Sequence, residues 1–362
     1  MKLNRRVWMA LVALLLAPAA QADEEFREWV AEFRDVAAEH GISRATYDRA
    51  FRDVTAPDPE VIRLANFQPE FKAETWEYFD NRIHDRSIET GRAMTREWQP
   101  WLDRIEQRFG VDRHILLAIW SLESNYGEAL KDPKVMRNVI RSLATLAYAD
   151  SRRRKYARGQ LIAALKILQR GDIDETHLTG SWAGAMGHTQ FIPTSYQAYA
   201  VDMDGDGRRD IWNSVPDALA SAANLLRKNG WQSGKAWGRE DEDGDFRPDG
   251  GKGPAFTLYQ NFHVIKRYNN ADRYALAVGL LADRIAGRPG LTRDWNRPFT
   301  PLSFAEKEEL QRLLKAKGFY DGEVDGRTGP KTREAIRAYQ RQAGLEDNGY
   351  PSREVLARLR RP

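Results

Sequence analysis

Residues 114–127 read HILLAIWSLESNYG and place one carboxylate near the end of an otherwise apolar helix. Four residues follow the spacing i, i+3, i+4 and i+7 and therefore share one stripe of that helix: Leu116, Ile119, Trp120 and Glu123. Glu123 is thus predicted to lie beside the core, where desolvation raises a glutamate pKa towards neutrality, as a general acid requires. A buried glutamate paired with an arginine is the alternative interpretation. The polar exit at residues 124–127, with its glycine stop, suits the edge of a cleft.

The first 22 residues have the pattern of a signal peptide. Three basic residues precede an apolar run over residues 7–18, and Ala20-Gln21-Ala22 provides a small-x-small cleavage site. The apolar run is too short for a comfortable membrane span, and no later segment approaches the necessary length. The chain also contains no cysteine, which excludes a lipid-anchored lipoprotein and a disulfide-stapled domain. We therefore expect a periplasmic protein without a membrane anchor in its mature form.

The charge of the mature chain is nearly balanced. Removal of residues 1–22 would leave 53 basic residues against 52 acidic ones. This composition lacks the concentrated basic excess of a nucleic-acid-binding protein, so no nucleic-acid partner is expected. The 11 Trp and 13 Tyr are compatible with stacking on sugar rings, although most should be ordinary core residues.

Helical periodicity dominates the chain before residue 287. It is found over residues 24–40, 43–51, 71–107, 111–126, 138–151, 155–171 and 216–229. Glycine and proline are frequent between Arg288 and Pro301, a composition typical of a linker. We therefore predict a mainly α-helical catalytic region over residues 23–300 and a separate small domain over residues 303–360.

A second distinctive segment, residues 180–196, reads GSWAGAMGHTQFIPTSY. Glycines at this density let the backbone approach a ligand closely, and the scattered polar groups could orient that ligand. A tight helix–helix crossing that requires small residues is the alternative.

The pairing of Glu-Ser-Asn-Tyr-Gly with Ser-Trp-Ala-Gly-Ala-Met-Gly-x-x-Gln-Phe-x-Pro resembles the membrane-bound lytic transglycosylase B family, including its soluble periplasmic members. The resemblance covers about residues 25–287 and implies a lysozyme-like helical fold. It implies that Glu123 is the single catalytic acid/base and that Ser181 and Gln190 lie beside the scissile sugars. It also implies that further substrate-binding residues approach the cleft: Tyr268, Asn269 and the less distinctive Tyr78. Asn269 could instead cap the helix that follows it.

The resemblance also implies the reaction. Glu123 would protonate the oxygen of the β-1,4 bond between N-acetylmuramic acid and N-acetylglucosamine, and would later accept the proton of the muramic acid 6-hydroxyl. The product would be a 1,6-anhydromuramoyl end, so the second carboxylate of ordinary glycosidases is not needed. A non-catalytic peptidoglycan-binding scaffold and a hydrolytic muramidase remain the alternatives. The implied partners are peptidoglycan glycan strands, and complexes with other cell-wall enzymes would be compatible with the family.

Residues 202–213 match the calcium loop of an EF-hand, with acids at positions 1, 3, 5 and 9 and glycine at position 6. At position 12 the usual bidentate glutamate is replaced by Asn213, which should weaken binding. We predict a structural Ca²⁺ site, with a metal-free acidic turn as the alternative. The candidate ligands are Asp202, Asp204, Asp206, Arg208 and Asn213.

The C-terminal segment has three short apolar patterns, centred on residues 310–314, 335–339 and 355–359, which predict three helices. The segment GFYDGEVDGRTGPKT at residues 318–332, together with Gln311, Tyr339 and Gln340, resembles a small peptidoglycan-binding domain. A generic helical docking module is the alternative. The linker composition further predicts that this domain is mechanically independent of the catalytic region.

Overall fold

The computed structural model describes residues 23–67 and 74–361, and these residues are mainly helical, as predicted. The predicted signal peptide lies outside the described residues. Within the described part, no helix combines the length and the apolar character needed to cross a membrane. Contacts between Cα atoms divide the chain into two units: residues 23–67 with 123–224, and residues 74–122 with 225–361.

The first unit is built around two long neighbouring helices, and its short two-stranded sheet precedes the glycine-rich segment. Its helices are α1 (residues 23–39), α2 (Arg44–Ala50), α3 (Pro59–Asn66), α8 (Val139–Ala149), α9 (Arg154–Arg170) and α10 (Pro193–Tyr199). The antiparallel strands are β1 (Arg137–Asn138) and β2 (Thr179–Gly180). Helix α9 packs on α8, α10 and α2, and α3 packs on α8. The unit therefore has its centre at α8 and α9.

Apolar residues and caps together explain the two central helices. Asn138 begins α8 because its side chain accepts a hydrogen bond from the Arg141 N–H at 2.9 Å. Gly171 ends α9 in the left-handed conformation, with φ of 82°. The apolar faces of both helices are buried, so packing, more than helix propensity, stabilises the pair.

The second unit contains the remaining helices and a second small sheet. Its helices before the C-terminal segment are α4 (Thr75–Asp80), α5 (Asp85–Glu97), α6 (Gln99–Phe109), α12 (Gln260–Tyr268) and α13 (Asp272–Ile285). The sheet pairs β3 (Gly238–Glu240) with antiparallel β4 (Phe256–Leu258). The unit boundaries fall within α7 (Arg113–Ser124) and α11 (Val215–Lys228), which each contribute residues to both units.

The helical periodicity over residues 71–107 corresponds to more than one helix, because the described part of this stretch forms α4, α5 and α6. The nitrogen of Pro100 cannot donate a hydrogen bond, which favours a new helix start, and α6 begins at Gln99. Helix α5 begins after His84, whose imidazole accepts from the Ser87 N–H while the Ser87 hydroxyl accepts from the His84 N–H. These caps divide a continuous apolar pattern into separate helices.

The three predicted C-terminal helices are confirmed as α14 (Phe304–Ala316), α15 (Pro330–Ala343) and α16 (Arg353–Leu359). Most of the apolar residues that predicted them form one buried cluster: Leu302, Leu310, Leu314, Ala335, Ile336, Tyr339, Val355, Leu356 and Leu359. Leu313 is partly buried against this cluster.

Gln311 organises the loop between α14 and α15 from inside the core. Its side chain is fully buried, and its Oε1 accepts hydrogen bonds from the backbone N–H groups of Asp325 at 3.0 Å and Gly326 at 2.8 Å. Its Nε2 donates to the carbonyl of Arg327 at 3.0 Å. One side chain therefore satisfies several buried groups of the loop.

The C-terminal helices, predicted to be mechanically independent, pack against part of the second unit. Within the second unit, the Arg333 guanidinium of α15 lies 3.2 Å from the Glu77 carboxylate of α4, and both residues are buried. The backbone of Thr328 also bonds to the side chain of Asn81. A glycine- and proline-rich connection indicates an irregular chain, but it carries no information about whether the segments on either side pack together.

The role of Gln311 gives a stability prediction. Substitution Gln311→Leu preserves approximate side-chain size but leaves the N–H groups of Asp325 and Gly326 without their acceptor, and an unsatisfied buried group such as the Gly326 N–H costs about 1–3 kcal/mol. We expect a lower melting temperature and faster hydrogen exchange at the Gly326 amide. The exposed neighbour Arg312 offers a control, Arg312→Leu, which should leave both observables near wild type. Unchanged exchange at Gly326 in Gln311→Leu would contradict this role.

Candidate active site

Helix α7 places Glu123 in its last turn. The other members of its stripe are almost fully buried, with exposed fractions of 0% for Leu116, 0% for Ile119 and 2% for Trp120. Glu123 itself is half-buried. The predicted stripe is therefore confirmed, and its acidic member lies where the buried helix reaches the surface.

The chain leaves α7 in an unusual backbone conformation. Asn125 and Tyr126 have φ of 50° and 56°, and Gly127 follows with φ of 89°. Left-handed conformations cost roughly 1–2 kcal/mol for residues with a Cβ, and asparagine tolerates them better than tyrosine does. Among the described residues, the other non-glycine residue with positive φ is Gln190, in the second predicted site segment. Backbone strain thus coincides with both segments that the sequence singled out.

A hydrogen bond joins the exit of α7 to the glycine-rich segment. The hydroxyl of Ser124 donates to the carbonyl of His188 at 2.7 Å. The Ser124 hydroxyl oxygen also accepts from the Gly127 N–H at 3.1 Å. The imidazole of His188 covers Gly127 so closely that a Cβ there would lie 2.5 Å from its Cε1. Position 127 therefore requires glycine for two reasons, its φ and the His188 ring.

His188 was not identified from the sequence as a site residue. Burial lowers the pKa of its imidazole to about 4, against the weaker opposite effect of Asp210, so the ring is neutral near pH 7. A neutral, half-buried ring on the Gly127 backbone packs between the two segments. A histidine between Gly187 and Thr189 in a polar segment gives no sequence signal for this role.

Between β2 and α10, residues 181–192 of the glycine-rich segment form turns and bridges and no helix, so the alternative of a helix–helix crossing is wrong. Met186 and Phe191 exchange two backbone hydrogen bonds of 2.9 and 3.0 Å. The Ser181 hydroxyl accepts from the N–H groups of Ala183 and Ala185 at 3.3 and 3.1 Å, and Gln190 Nε2 donates to the Gly187 carbonyl at 2.9 Å. These bonds hold the half-buried side chains of Ser181 and Gln190 in place.

Gly187 is needed for contact with the protein's own chain. A Cβ at this position would lie 2.4 Å from the carbonyl oxygen of Ile211, and its φ is 66°. The next N–H, that of His188, donates to the same carbonyl at 2.9 Å. This glycine lets the segment pack against the end of the acidic loop. The glycine-rich pattern had instead predicted close approach of the backbone to a ligand.

The other predicted substrate-binding residues belong to the second unit. Tyr78 is half-buried on α4, and the Arg82 guanidinium lies 3.7 Å from the centre of its ring. Tyr268 is the last residue of α12 and stacks on Tyr274 at 6.4 Å. Asn269 is exposed and follows α12 directly.

The alternative role of Asn269 as a cap for the next helix is wrong. Helix α13 begins at Asp272, and the residue at its N-cap is Ala271, whose side chain offers no acceptor. Asn269 is instead the C-cap of α12, and its carbonyl accepts from the Ala271 N–H at 2.7 Å. Its exposed side chain is therefore not needed to begin α13.

The acidic loop at residues 202–213 groups its carboxylates differently from an EF-hand. One carboxylate oxygen each from Asp202, Asp204 and Asp217 lies within 4.8 Å of the others, and Asp206 is not in this group. The Asn213 amide donates to Asp210 Oδ2 at 2.9 Å, and Asp206 Oδ1 accepts from the Arg208 N–H at 2.8 Å. The EF-hand assignment of the loop is not confirmed.

Asp217 was missed because it lies four residues beyond the end of the 12-residue template, in the first turn of α11. It is fully buried, and its carboxylate accepts backbone N–H groups from Met203 at 2.7 Å and Asp210 at 2.8 Å. Burial raises the pKa of Asp217 to about 6 despite these hydrogen bonds, and Asp204 adds to the rise. The sequence did contain a signal for Asp217. An acid three residues after a serine is typical of a helix start, and in the structure the Ser214 hydroxyl accepts from the Asp217 N–H.

Comparison with known proteins confirms the predicted resemblance. The family model for the transglycosylase SLT domain matches residues 25–242 and 241–283, and that for a peptidoglycan binding domain matches residues 305–359. Membrane-bound lytic murein transglycosylase B from Escherichia coli K12 is 29% identical over 236 residues, which cover 55% of this chain. The match spans 64% of the length of that relative.

Solved structures give the same result over a larger share of the chain. SltB3 from Pseudomonas aeruginosa, in complex with NAG-anhNAM-pentapeptide, is 42% identical with a TM-score of 0.71, covering 92% of this chain and 99% of that one. The soluble lytic transglycosylase SltB1 from the same organism is 27% identical with a TM-score of 0.62, covering 73% and 98%. These likenesses confirm the predicted lysozyme-like fold class. The chain belongs to the transglycosylase SLT domain family and carries a C-terminal peptidoglycan binding domain.

Proposed function

We propose that this protein is a lytic transglycosylase that cleaves the β-1,4 bond between N-acetylmuramic acid and N-acetylglucosamine in peptidoglycan and leaves 1,6-anhydromuramoyl ends. The observation that carries this proposal is the position of Glu123, a half-buried carboxylate where the buried helix α7 reaches the surface. Family membership supports it independently.

The proposed chemistry uses Glu123 twice. Its protonated carboxyl first donates to the glycosidic oxygen, and the resulting carboxylate then accepts the proton of the muramic acid 6-hydroxyl as that oxygen attacks the anomeric carbon. Glu123 is thereby returned to its protonated starting state, and no water is consumed. The left-handed exit and the Ser124 to His188 hydrogen bond would keep this side chain in a fixed orientation, which a positioned acid needs.

The other predicted residues take supporting roles in this proposal. Ser181 and Gln190 would contact the sugars on either side of the scissile bond, and Tyr78, Tyr268 and Asn269 would be further substrate-binding residues. We further propose that residues 1–22 direct export to the periplasm and are removed, that residues 23–300 form the catalytic region, and that residues 303–360 bind the wall.

The acid is tested by substitution. Glu123→Gln retains the shape of the side chain but cannot deliver a proton, so cleavage of purified sacculi should fall by at least about 10²-fold. Mass spectrometry of the soluble products should show anhydromuramoyl ends for the wild type. Reducing ends would instead indicate a hydrolytic muramidase, and the absence of soluble fragments would indicate a scaffold.

Glu128→Gln is a matched control, because the same change is made five residues later on an exposed side chain paired with Lys131. It should retain activity near that of the wild type. Thermal melting of both variants should resemble the wild type, which separates lost chemistry from lost folding. Activity of Glu123→Gln within tenfold of the wild type would refute the role of Glu123.

We also propose a structural Ca²⁺ site in the acidic loop, with Asp217 as a ligand in addition to Asp202 and Asp204. Carboxylate oxygens are the ligands that Ca²⁺ prefers, and three of them already lie within 4.8 Å of one another. A cation there would also compensate the mutual repulsion of acids, one of which is fully buried. We keep Asp206, the backbone carbonyl of Arg208 and Asn213 in the proposal as further ligands.

The calcium site is tested by melting in millimolar Ca²⁺ and in chelator. An ion that binds only the folded loop stabilises the fold by about RT ln(1 + [L]/Kd), so Ca²⁺ should raise the melting temperature of the wild type. Asp217→Asn should lose this response, whatever its own melting temperature in chelator. Asp245→Asn, at an exposed acid outside the loop, should keep it. An equal rise with Mg²⁺, or a full response in Asp217→Asn, would rule out the proposed site.

A further inference from the structure

The docking surface between the C-terminal helices and α4 contains a buried ion pair. Glu77 is 2% exposed and Arg333 is 4% exposed, and Arg333 Nη1 lies 3.2 Å from Glu77 Oε2. The guanidinium also lies 5.3 Å from the centre of the Tyr350 ring. Removal of one member of a buried pair leaves an uncompensated charge in the interior, so substitution of either residue alone should disrupt this contact.

The turn after α4 is held by a second set of contacts. The Asn81 side chain donates to the carbonyl of Thr328 at 3.1 Å and accepts from the N–H of the same residue at 2.9 Å. Such a reciprocal pair fixes both the distance and the orientation of the two backbones. His84 extends the contact, because its ring stacks on Phe304 of α14 at 4.0 Å.

Aromatic rings complete the surface on the other side of α4. Trp76 contacts Phe299 at 5.0 Å and Tyr350 at 6.0 Å, both edge-on, and Phe79 stacks on Trp295 at 4.3 Å. These aromatic partners come from the segment that leads into the C-terminal helices and from the helical domain itself. Glu77, Trp76 and Phe79 of helix α4 therefore all have partners in the C-terminal part of the chain.

Helix α4 has only six residues, too few to keep its own conformation in water. Its orientation must come from its contacts, and Glu77, Trp76 and Phe79 make those contacts with the C-terminal part of the chain. Tyr78 lies between Glu77 and Phe79 on this helix, so its position depends on the same packing, while the Arg82 guanidinium covers its half-buried ring at 3.7 Å.

We infer that the C-terminal domain is a positioning element for glycan cleavage as well as a wall-binding domain, and that Glu77 and Arg333 are positioning residues that orient Tyr78. This inference rests on the proposed function, in which Tyr78 contacts the glycan. It differs from simple tethering, since tethering raises the local concentration of substrate and leaves the reaction of short strands unchanged. Here the docked domain alters the site itself.

The test uses the full chain and short soluble glycan strands. Arg333→Met removes the charge and retains most of the side-chain length. We expect KM for short strands to rise roughly tenfold or more, because misplacement of a contact by about 1 Å can cost up to about 10²-fold. Co-sedimentation with sacculi should remain within about twofold of the wild type.

Arg86→Met is the matched control. Arg86 of α5 and Glu308 of α14 form another ion pair, of 2.7 Å, that joins the C-terminal helices to the second unit, but Arg86 is largely exposed. Exposed pairs contribute about 0–1 kcal/mol, so this variant should keep the KM of the wild type. An equal rise in KM for both variants would overturn the role of the buried pair.

A double-mutant cycle with Tyr78→Ala separates positioning from general loss of stability. If Arg333 acts through Tyr78, Arg333→Met should have little further effect on KM once Tyr78 has been removed. Independent, multiplicative effects would overturn the inference. Where Arg333→Met does not fold, Asn81→Ala, which removes both hydrogen bonds to Thr328, takes its place in the same cycle.

The experiments distinguish an error in the proposed function from an error in this inference. A wild-type protein that releases no anhydromuramoyl products would refute the lytic activity before any variant is compared. An active wild type whose KM for short strands is unchanged in Arg333→Met and Asn81→Ala would refute only the positioning role.

Discussion

The exit of α7 is the constraint on which the rest of the proposed site depends. A buried apolar helix brings Glu123 to the surface, and three successive left-handed residues then turn the chain sharply away. Two of those residues carry a Cβ, so the turn is strained and persists only because neighbouring structure holds it. The hydrogen bond from Ser124 to the carbonyl of His188 and the imidazole on Gly127 provide that support. The acid and the glycine-rich segment are thus parts of one rigid arrangement within the first unit.

The helices with a periodic apolar pattern could be predicted from the sequence, whereas the caps and contacts without such a pattern could not. Leu116, Ile119 and Trp120 are buried as their spacing requires, and the C-terminal helices follow their apolar patterns. The division of residues 71–107 into separate helices depended on the cap at His84 and on Pro100 at the start of α6, which an apolar pattern does not report. Asp217 joined the acidic loop through the packing of α11, at a distance along the chain that a 12-residue template does not cover.

The glycines of residues 180–187 correctly indicated a special segment, but at Gly187 the physical reason differs from the predicted one. Gly187 is required by the carbonyl of Ile211 and by its own φ. That contact places the end of the acidic loop directly against the segment that carries Gln190. A cation in the loop would therefore stiffen the backbone next to the proposed sugar contacts without itself touching substrate.

The contact between Glu77 and Arg333 joins residues that are 256 positions apart in the chain. Contacts of such long range form late in folding, since their loop-closure entropy must be offset by structure that already exists. Helix α4 is too short to fold alone, so it reaches its final packing only after α15 is in place. An emerging chain that lacks its last residues would hold an acid at the end of α7 and an unfinished α4. The packing of α4 thus depends on a helix that is synthesised about 250 residues later, and until then its buried acid has no partner.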